Sequence, residues 1–165
     1  MSQIGRRYFL RRKDRKSFFD NVARALHIDP EGSFGSKPQI EVVETSRHKI
    51  FLINGLSLVA ESDGDMFPTL IFKDQLSLLP KITVDMGAVQ YVCRGADIMA
   101  PGIVEIQGEF EEKRLAVVLD ERHKKPIAIA QSLFSSKTAR TLKKGRIFRN
   151  LTYVGDDIWN VAKAP

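Results

Sequence analysis

The dipeptide Asn54-Gly55 lies between two β-rich runs, Lys49–Ile53 and Leu56–Ala60, and constrains the fold more than any other feature of the chain. A two-residue type I′ turn needs positive φ at both central positions, which Asn and Gly tolerate best, so the pair predicts a β-hairpin. Ser62-Asp63-Gly64-Asp65 predicts a second turn, and Ile40–Thr45 a strand ahead of the hairpin. Before them, Phe18, Phe19, Val22 and Leu26 recur at helical spacing, with Asp14 or Ser17 as the cap. His27–Pro38 is rich in breakers and reads as a loop. Met66–Leu79 completes this half, and Pro80 marks a boundary. Residues 1–80 therefore read as a small α+β unit.

The second half is also dominated by strand signals. Ile82–Val84 opens it, and Asp85 fits the N-cap of a short helix with Val89, Val92 and Cys93 on one face and Gly95 past its end. Ala100-Pro101-Gly102-Ile103 fits a type II turn in which Gly102 supplies positive φ. Strands are expected at Ile103–Ile106, Leu115–Leu119 and Ile127–Leu133; in the last, Ile127 and Ile129 alternate with Ala128 and Ala130. Ser135 or Ser136 caps a second short helix running through Lys144 and ended by Gly145, and Ile147–Val154 is the final strand. Many short strands with two short helices predict a compact β-barrel over residues 81–165.

The net charge is +6, and its distribution says more than its size. Residues 1–26 hold eight basic side chains against Asp14 and Asp20. Residues 122–149 hold nine and no acid, whereas residues 27–121 carry 8 basic and 16 acidic residues. Two positive ends around an acidic middle attract polyanions to particular faces, against the plainer reading of solvated charge. On the last strand, period two places Arg149 and Tyr153 on one face and Phe148 on the other. With Arg146 they combine cations for phosphates and a ring for bases.

Several classes are excluded or disfavoured. One cysteine, Cys93, rules out an intramolecular disulfide and a Cys-rich zinc site. His27, His48 and His123 lack metal-ligand spacing, so no metal or other cofactor is expected. No phosphate-binding P-loop and no nucleophile elbow occurs, and no catalytic residue is singled out. Asp63 with Asp65 and Asp156 with Asp157 read as turn residues rather than cation ligands. No apolar run is long enough to cross a bilayer and no secretory signal opens the chain, so a soluble cytoplasmic protein without membrane contact is expected.

Val84-Asp85-x-Gly87-Ala88, followed by Gly95-Ala96-Asp97-Ile98-Met99-Ala100-Pro101-Gly102-Ile103, resembles the signature of the PUA domain. That RNA-binding fold is named for pseudouridine synthases and archaeosine transglycosylases. Ile53-Asn54-Gly55, Phe67-Pro68-Thr69-Leu70 and Leu78-Leu79-Pro80 resemble the domain that precedes PUA in malignant T-cell-amplified-sequence proteins. These are also called translation machinery-associated proteins, and archaea carry relatives. The resemblance implies an α+β chain: a pre-PUA domain over 1–80 and a PUA β-barrel with two short helices over 81–165. It implies a non-enzymatic RNA-binding protein of translation, contacting tRNA or ribosomal RNA and working near a ribosomal or translation-factor partner. The alternatives are a protein-interaction adaptor on the ribosome and an accessory subunit of an RNA-modifying enzyme. Candidate RNA contacts are Gly87, Ala88, Arg94, Gly95, Ala96, Met99, Pro101 and Gly102. To these are added Ser135 and Lys137 at a helix start, Arg146, Arg149 and Tyr153 on the last strand, and the basic Arg11, Arg12 and Lys13. The three glycines also suit turns and helix ends without any ligand.

Overall fold

A computed structural model of the chain describes residues 4–164. Strands β1 (Ile4–Phe9), β2 (Ile40–Thr45), β3 (Lys49–Ile53), β4 (Leu56–Ser62) and β5 (Asp65–Pro68) form an antiparallel meander in that order. Asn54 and Gly55 have φ of 52° and 86°, so the turn forms as its residues demand. Asp63 and Gly64 repeat the geometry, at 52° and 85°. Helix α1 (Arg15–Leu26) buries Phe18, Val22 and Leu26 against Ile40, Val42, Phe51, Ile53 and Val59 on one face of the sheet. Asp14 occupies the cap position without a side-chain bond to the helix. The expected loop contains a short helix, α2 (Pro30–Phe34), with Pro30 in its first turn, where a missing N–H costs nothing.

Strand β1 was not legible as a strand. Its two arginines are held by β2: Arg7 Nε donates to Glu41 Oε2 at 2.8 Å, and Arg6 lies 3.7 Å from Glu44. Part of the N-terminal charge excess is thus matched by acids across the sheet.

After α3 (Lys73–Leu76), the second half holds β6 (Lys81–Val84), α4 (Met86–Val92), β7 (Ile98–Met99), β8 (Ile103–Gln107), β9 (Leu115–Asp120), β10 (Pro126–Ser132), α5 (Ser136–Ala139), β11 (Arg146–Tyr153) and α6 (Asp157–Lys163). Its sheet runs β7-β11-β10-β9-β6-β8. The two edge strands, β7 and β8, are joined by the three-residue 3-10 turn Ala100–Gly102, so the sheet must curl to bring its edges together. It wraps Ile82, Val84, Ile98, Val118, Ala128, Ala130 and Phe148 as a half-barrel. The structure shortens the second predicted helix: α5 ends at Ala139, and residues 140–145 continue as turns. Helix α6 was not anticipated; Asp156 caps it, accepting from Trp159 N–H at 2.8 Å. Among the described residues no helix is long and apolar enough to cross a membrane.

The other face of the first sheet packs on the second. Val43, Ile50, Ala60 and Phe67 meet Val117, Ile129, Leu151 and Ile158 in one buried cluster. Beside it, His48 Nδ1 lies 2.7 Å from Asp157 Oδ2, with the Asp157 side chain 2% exposed. Burial works to raise the Asp157 carboxyl, but hydrogen bonds from His48 and Thr45 outweigh it and hold it below the ordinary aspartate range. A carboxyl depressed by folding stabilises the fold above its unfolded value near pH 4, and that contribution fades as pH falls through the folded one. Asp157→Ala is therefore expected to lower stability by about 3 kcal/mol at neutral pH. The gap from the unsubstituted chain should narrow in urea titrations as pH is lowered below about 4.

Candidate functional site

Helix α4 begins where Asp85 Oδ1 accepts the Ala88 N–H at 2.8 Å, so this helix start is satisfied by its own cap. The helix ends in a loop turned by Gly95, whose φ is 99°. Asn150 of β11 fixes that loop: its Nδ2 donates to Val92 O at 3.1 Å and to Ala96 O at 2.9 Å. Asp97 closes the same junction, accepting Asn150 N–H at 2.8 Å and Arg146 Nη1 at 3.0 Å. Among the described residues nothing bonds the buried Asn150 Oδ1, and two carbonyls aim its amide nitrogen.

Between α4, this loop and the Ala100–Gly102 turn lies an apolar groove of about 310 Å³. Ala88, Ala96, Met99 and Gly102 line it, four of the residues expected from the sequence. Tyr91 and Asp97 line it too and were missed. Tyr91 is 58% and Met99 48% exposed, large side chains left open to solvent at the groove. The signal for Tyr91 is its spacing: three residues after Ala88, it falls on the same face of α4. Gly87, Arg94 and Pro101 are exposed on the segments that frame the groove.

Gly102 does not adopt positive φ, which corrects the type II turn; it sits in the 3-10 turn. A Cβ there would lie 2.9 Å from Ala88 Cβ, so close packing of the turn on α4 is what requires glycine. Gly95 needs its positive φ, and its missing Cβ also makes room for the Tyr153 ring at 3.1 Å. Gly87 has only Asp85 Oδ1 nearby, at 3.4 Å.

Cations approach the groove from one side. Arg146 pairs with Met99 in the ladder. Ala100 N–H donates to Gly145 O at 2.9 Å, which brings exposed Lys143 and Lys144 beside the same turn. These lysines read as cations at a helix end, but α5 stops at Ala139, so no helix dipole holds them.

Other expected residues lie elsewhere. A bulge leaves Leu151 unpaired, because Ala130 faces Asn150 while Ile129 faces Thr152. The bulge reverses the alternation, so Arg149 and Tyr153 occupy opposite faces, contrary to the period-two reading. Tyr153 faces Ala128 and packs on the half-barrel core with Phe148. Arg149 faces Gln131, with Nη2 3.2 Å from Gln131 Oε1 and 3.5 Å from Asp65 Oδ2, toward the first sheet. Ser135 and Lys137 sit at α5, over the far end of β8, where Arg140 reaches Ile106 O and Gly108 O. An acid is present there after all: Ser136 Oγ donates to Glu109 Oε2 at 2.9 Å. That bond, then the Arg140 charge, holds the Glu109 carboxyl below the usual range. Arg11, Arg12 and Lys13 precede α1, yet the opposite end of α1 meets the second half, with His27 Nε2 2.7 Å from Arg114 Nη1. None of these three cations lines the α4 groove.

Burial pushes the Cys93 thiol up, away from reactivity. Asp156 caps α6 and Asp157 binds His48. Among the described residues no group of three or more metal-ligating side chains converges.

Residues 80–153 match the PUA domain family, and residues 6–73 match the domain of unknown function DUF1947. An uncharacterized protein of Methanocaldococcus jannaschii is 36% identical over 96% of this chain and 98% of its own length. The chain is 27% identical to a Dictyostelium discoideum protein named malignant T-cell-amplified sequence 1 homolog, over 91% of this chain and 86% of that one. It is 29% identical to translation machinery-associated protein 20 of Schizosaccharomyces pombe, over 67% and 64%. Among solved structures, a hypothetical protein of Pyrococcus horikoshii superposes with a TM-score of 0.71 at 26% identity, covering 95% of this chain and 99% of that one. A PUA-domain protein of Aeropyrum pernix gives 0.78 at 24% identity, covering 98% and 92%, and shares the fold.

The geometry of the groove predicts different responses to alanine at its glycines. Gly102→Ala forces the turn off α4 and is expected to cost about 1–3 kcal/mol in denaturant titrations. Gly87→Ala, in the first turn of α4 with no backbone contact to meet, is expected to leave stability unchanged or raise it by up to about 1 kcal/mol.

Proposed function

Because the chain belongs to the family of PUA-domain proteins with a DUF1947 domain ahead of the PUA domain, we propose that it binds RNA through the α4 groove and catalyses nothing. The observation that carries this reading is an apolar groove with exposed Tyr91 and Met99 beside Arg94, Lys143, Lys144 and Arg146. An exposed ring and thioether beside cations suit an unpaired base and its flanking phosphates. The fixed loop and the closely packed Gly102 turn keep the groove open at no further ordering cost, which favours shape recognition of a single-stranded end or loop. Asp97 is the acid in the lining, and Arg146 neutralises it.

In this reading residues 81–165 are the RNA-binding unit, and residues 1–80 are a second unit braced against it. The RNA belongs to the translation machinery, either tRNA or ribosomal RNA, in the cytoplasm. Relatives named as translation machinery-associated proteins support that context. Arg11, Arg12, Lys13, Lys137 and Arg149 add positive charge outside the groove lining, and Ser135 serves as the cap of α5.

If about four phosphates are neutralised, affinity for a single-stranded oligoribonucleotide falls with a log–log salt slope near −2.8, about 50-fold for a fourfold rise in salt. Arg94→Ala and Arg146→Ala are each expected to flatten the slope by about 0.7 in fluorescence-anisotropy titrations. Arg149→Ala, which faces Gln131 and Asp65, should leave the slope nearly unchanged. Equal losses for Arg146→Ala and Arg149→Ala would contradict the site.

A further inference from the structure

A second apolar groove, about 450 Å³, opens where the two halves meet. Leu70 and Leu76 from the first half and Val117, Leu119 and Trp159 from the second form its floor. Lys81, at the start of β6, borders this groove, whereas Val84, at the end of that strand, borders the α4 groove, so the two are separate. Five lysines ring the floor, Lys73, Lys81, Lys124, Lys125 and Lys163, and among the described residues no acid shares the lining. Lys81 Nζ is 3.4 Å from both Ser77 O and Leu79 O, which hold one cation at the rim. Lys163 Nζ stands 4.7 Å from the centre of the Trp159 ring.

Five ammonium groups around one opening repel one another, so the free groove has an electrostatic potential that only an anionic occupant relieves. The floor calls for apolar side chains, and a volume of this size suits a few such anchors. Nucleic-acid readers stack bases on aromatic rings or guanidinium planes. Here every cation is a lysine, the floor is mainly aliphatic, and the one ring is covered by Lys163. Lysine as a compact point charge pairs equally well with scattered carboxylates. We propose that this groove docks an acidic segment of a protein partner, which inserts aliphatic side chains into the floor while its Asp and Glu residues meet the lysine rim. This site is independent of RNA binding in the α4 groove.

Trp159 is the only tryptophan of the chain, so its fluorescence reports on this groove alone. A phage-displayed library of random peptides of about 12 residues, panned on the full chain, should enrich sequences that combine Leu, Ile or Phe with Asp and Glu. A synthetic copy of the most enriched peptide should shift Trp159 emission saturably. The double variant Lys73→Glu with Lys125→Glu, both exposed positions, should weaken its binding about tenfold or more. The variant's unchanged circular dichroism and RNA affinity would assign that loss to the groove. Failure to enrich acidic–aliphatic peptides would overturn the proposal, as would a peptide that leaves Trp159 unmoved or binds the double variant equally well. So would an oligouridylate or phosphatidylglycerol vesicles shifting Trp159 more strongly than the peptide does.

Discussion

The seam between the two sheets is the interaction on which the rest of the molecule depends. Ile50, Phe67 and Ile129 are fully buried in it, and Leu151 and Ile158 complete it from the second half. Burying side chains of this size contributes about 1.5–3 kcal/mol each before entropy is subtracted. Units joined by small, polar contacts move relative to each other, whereas a dry apolar seam holds them in one orientation. The His48–Asp157 pair adds direction to that seam, because a buried carboxylate tolerates few positions for its imidazole partner. The lysine-ringed groove exists only because this seam fixes α3 against β9 and α6.

The α4 groove depends on a different device. Its floor is set by two close approaches, Gly102 on Ala88 and Gly95 on Tyr153. Its rim is set by polar bonds from one strand, through Asn150 and Arg146. A rigid concave wall with an exposed ring at its mouth can receive a planar group without rearranging, and the nearby cations then count toward affinity. Arg146 serves twice, neutralising Asp97 and standing at the groove edge.

Local chemistry made much of the fold legible. Asn54-Gly55 dictated its hairpin, Asp85 capped α4, and Phe18, Val22 and Leu26 turned one face of α1 inward, because each signal is complete within a few residues. The PUA-like pattern over Val84–Ile103 marked the segment that forms the groove. What escaped was decided by partners far along the chain. Ile4–Phe9 becomes a strand by pairing with β2, more than thirty residues along the chain, and Thr45 and His48 fix Asp157 at the start of α6. The bulge at Leu151 arises from the register of β10 against β11, and one extra residue there sent Arg149 and Tyr153 to opposite faces. Summed charge along the chain likewise could not reveal that the basic N-terminal segment does not line the α4 groove.

On the proposed reading, RNA enters the groove between α4 and the Ala100–Gly102 turn. Amide and methyl chemical-shift mapping during titration with a short single-stranded RNA tests it most directly. The largest shifts are expected at Ala88, Tyr91, Ala96, Met99 and Gly102, with smaller ones along Lys143–Arg146. Shifts concentrated on α1 and β1, with the groove residues unmoved, would contradict it.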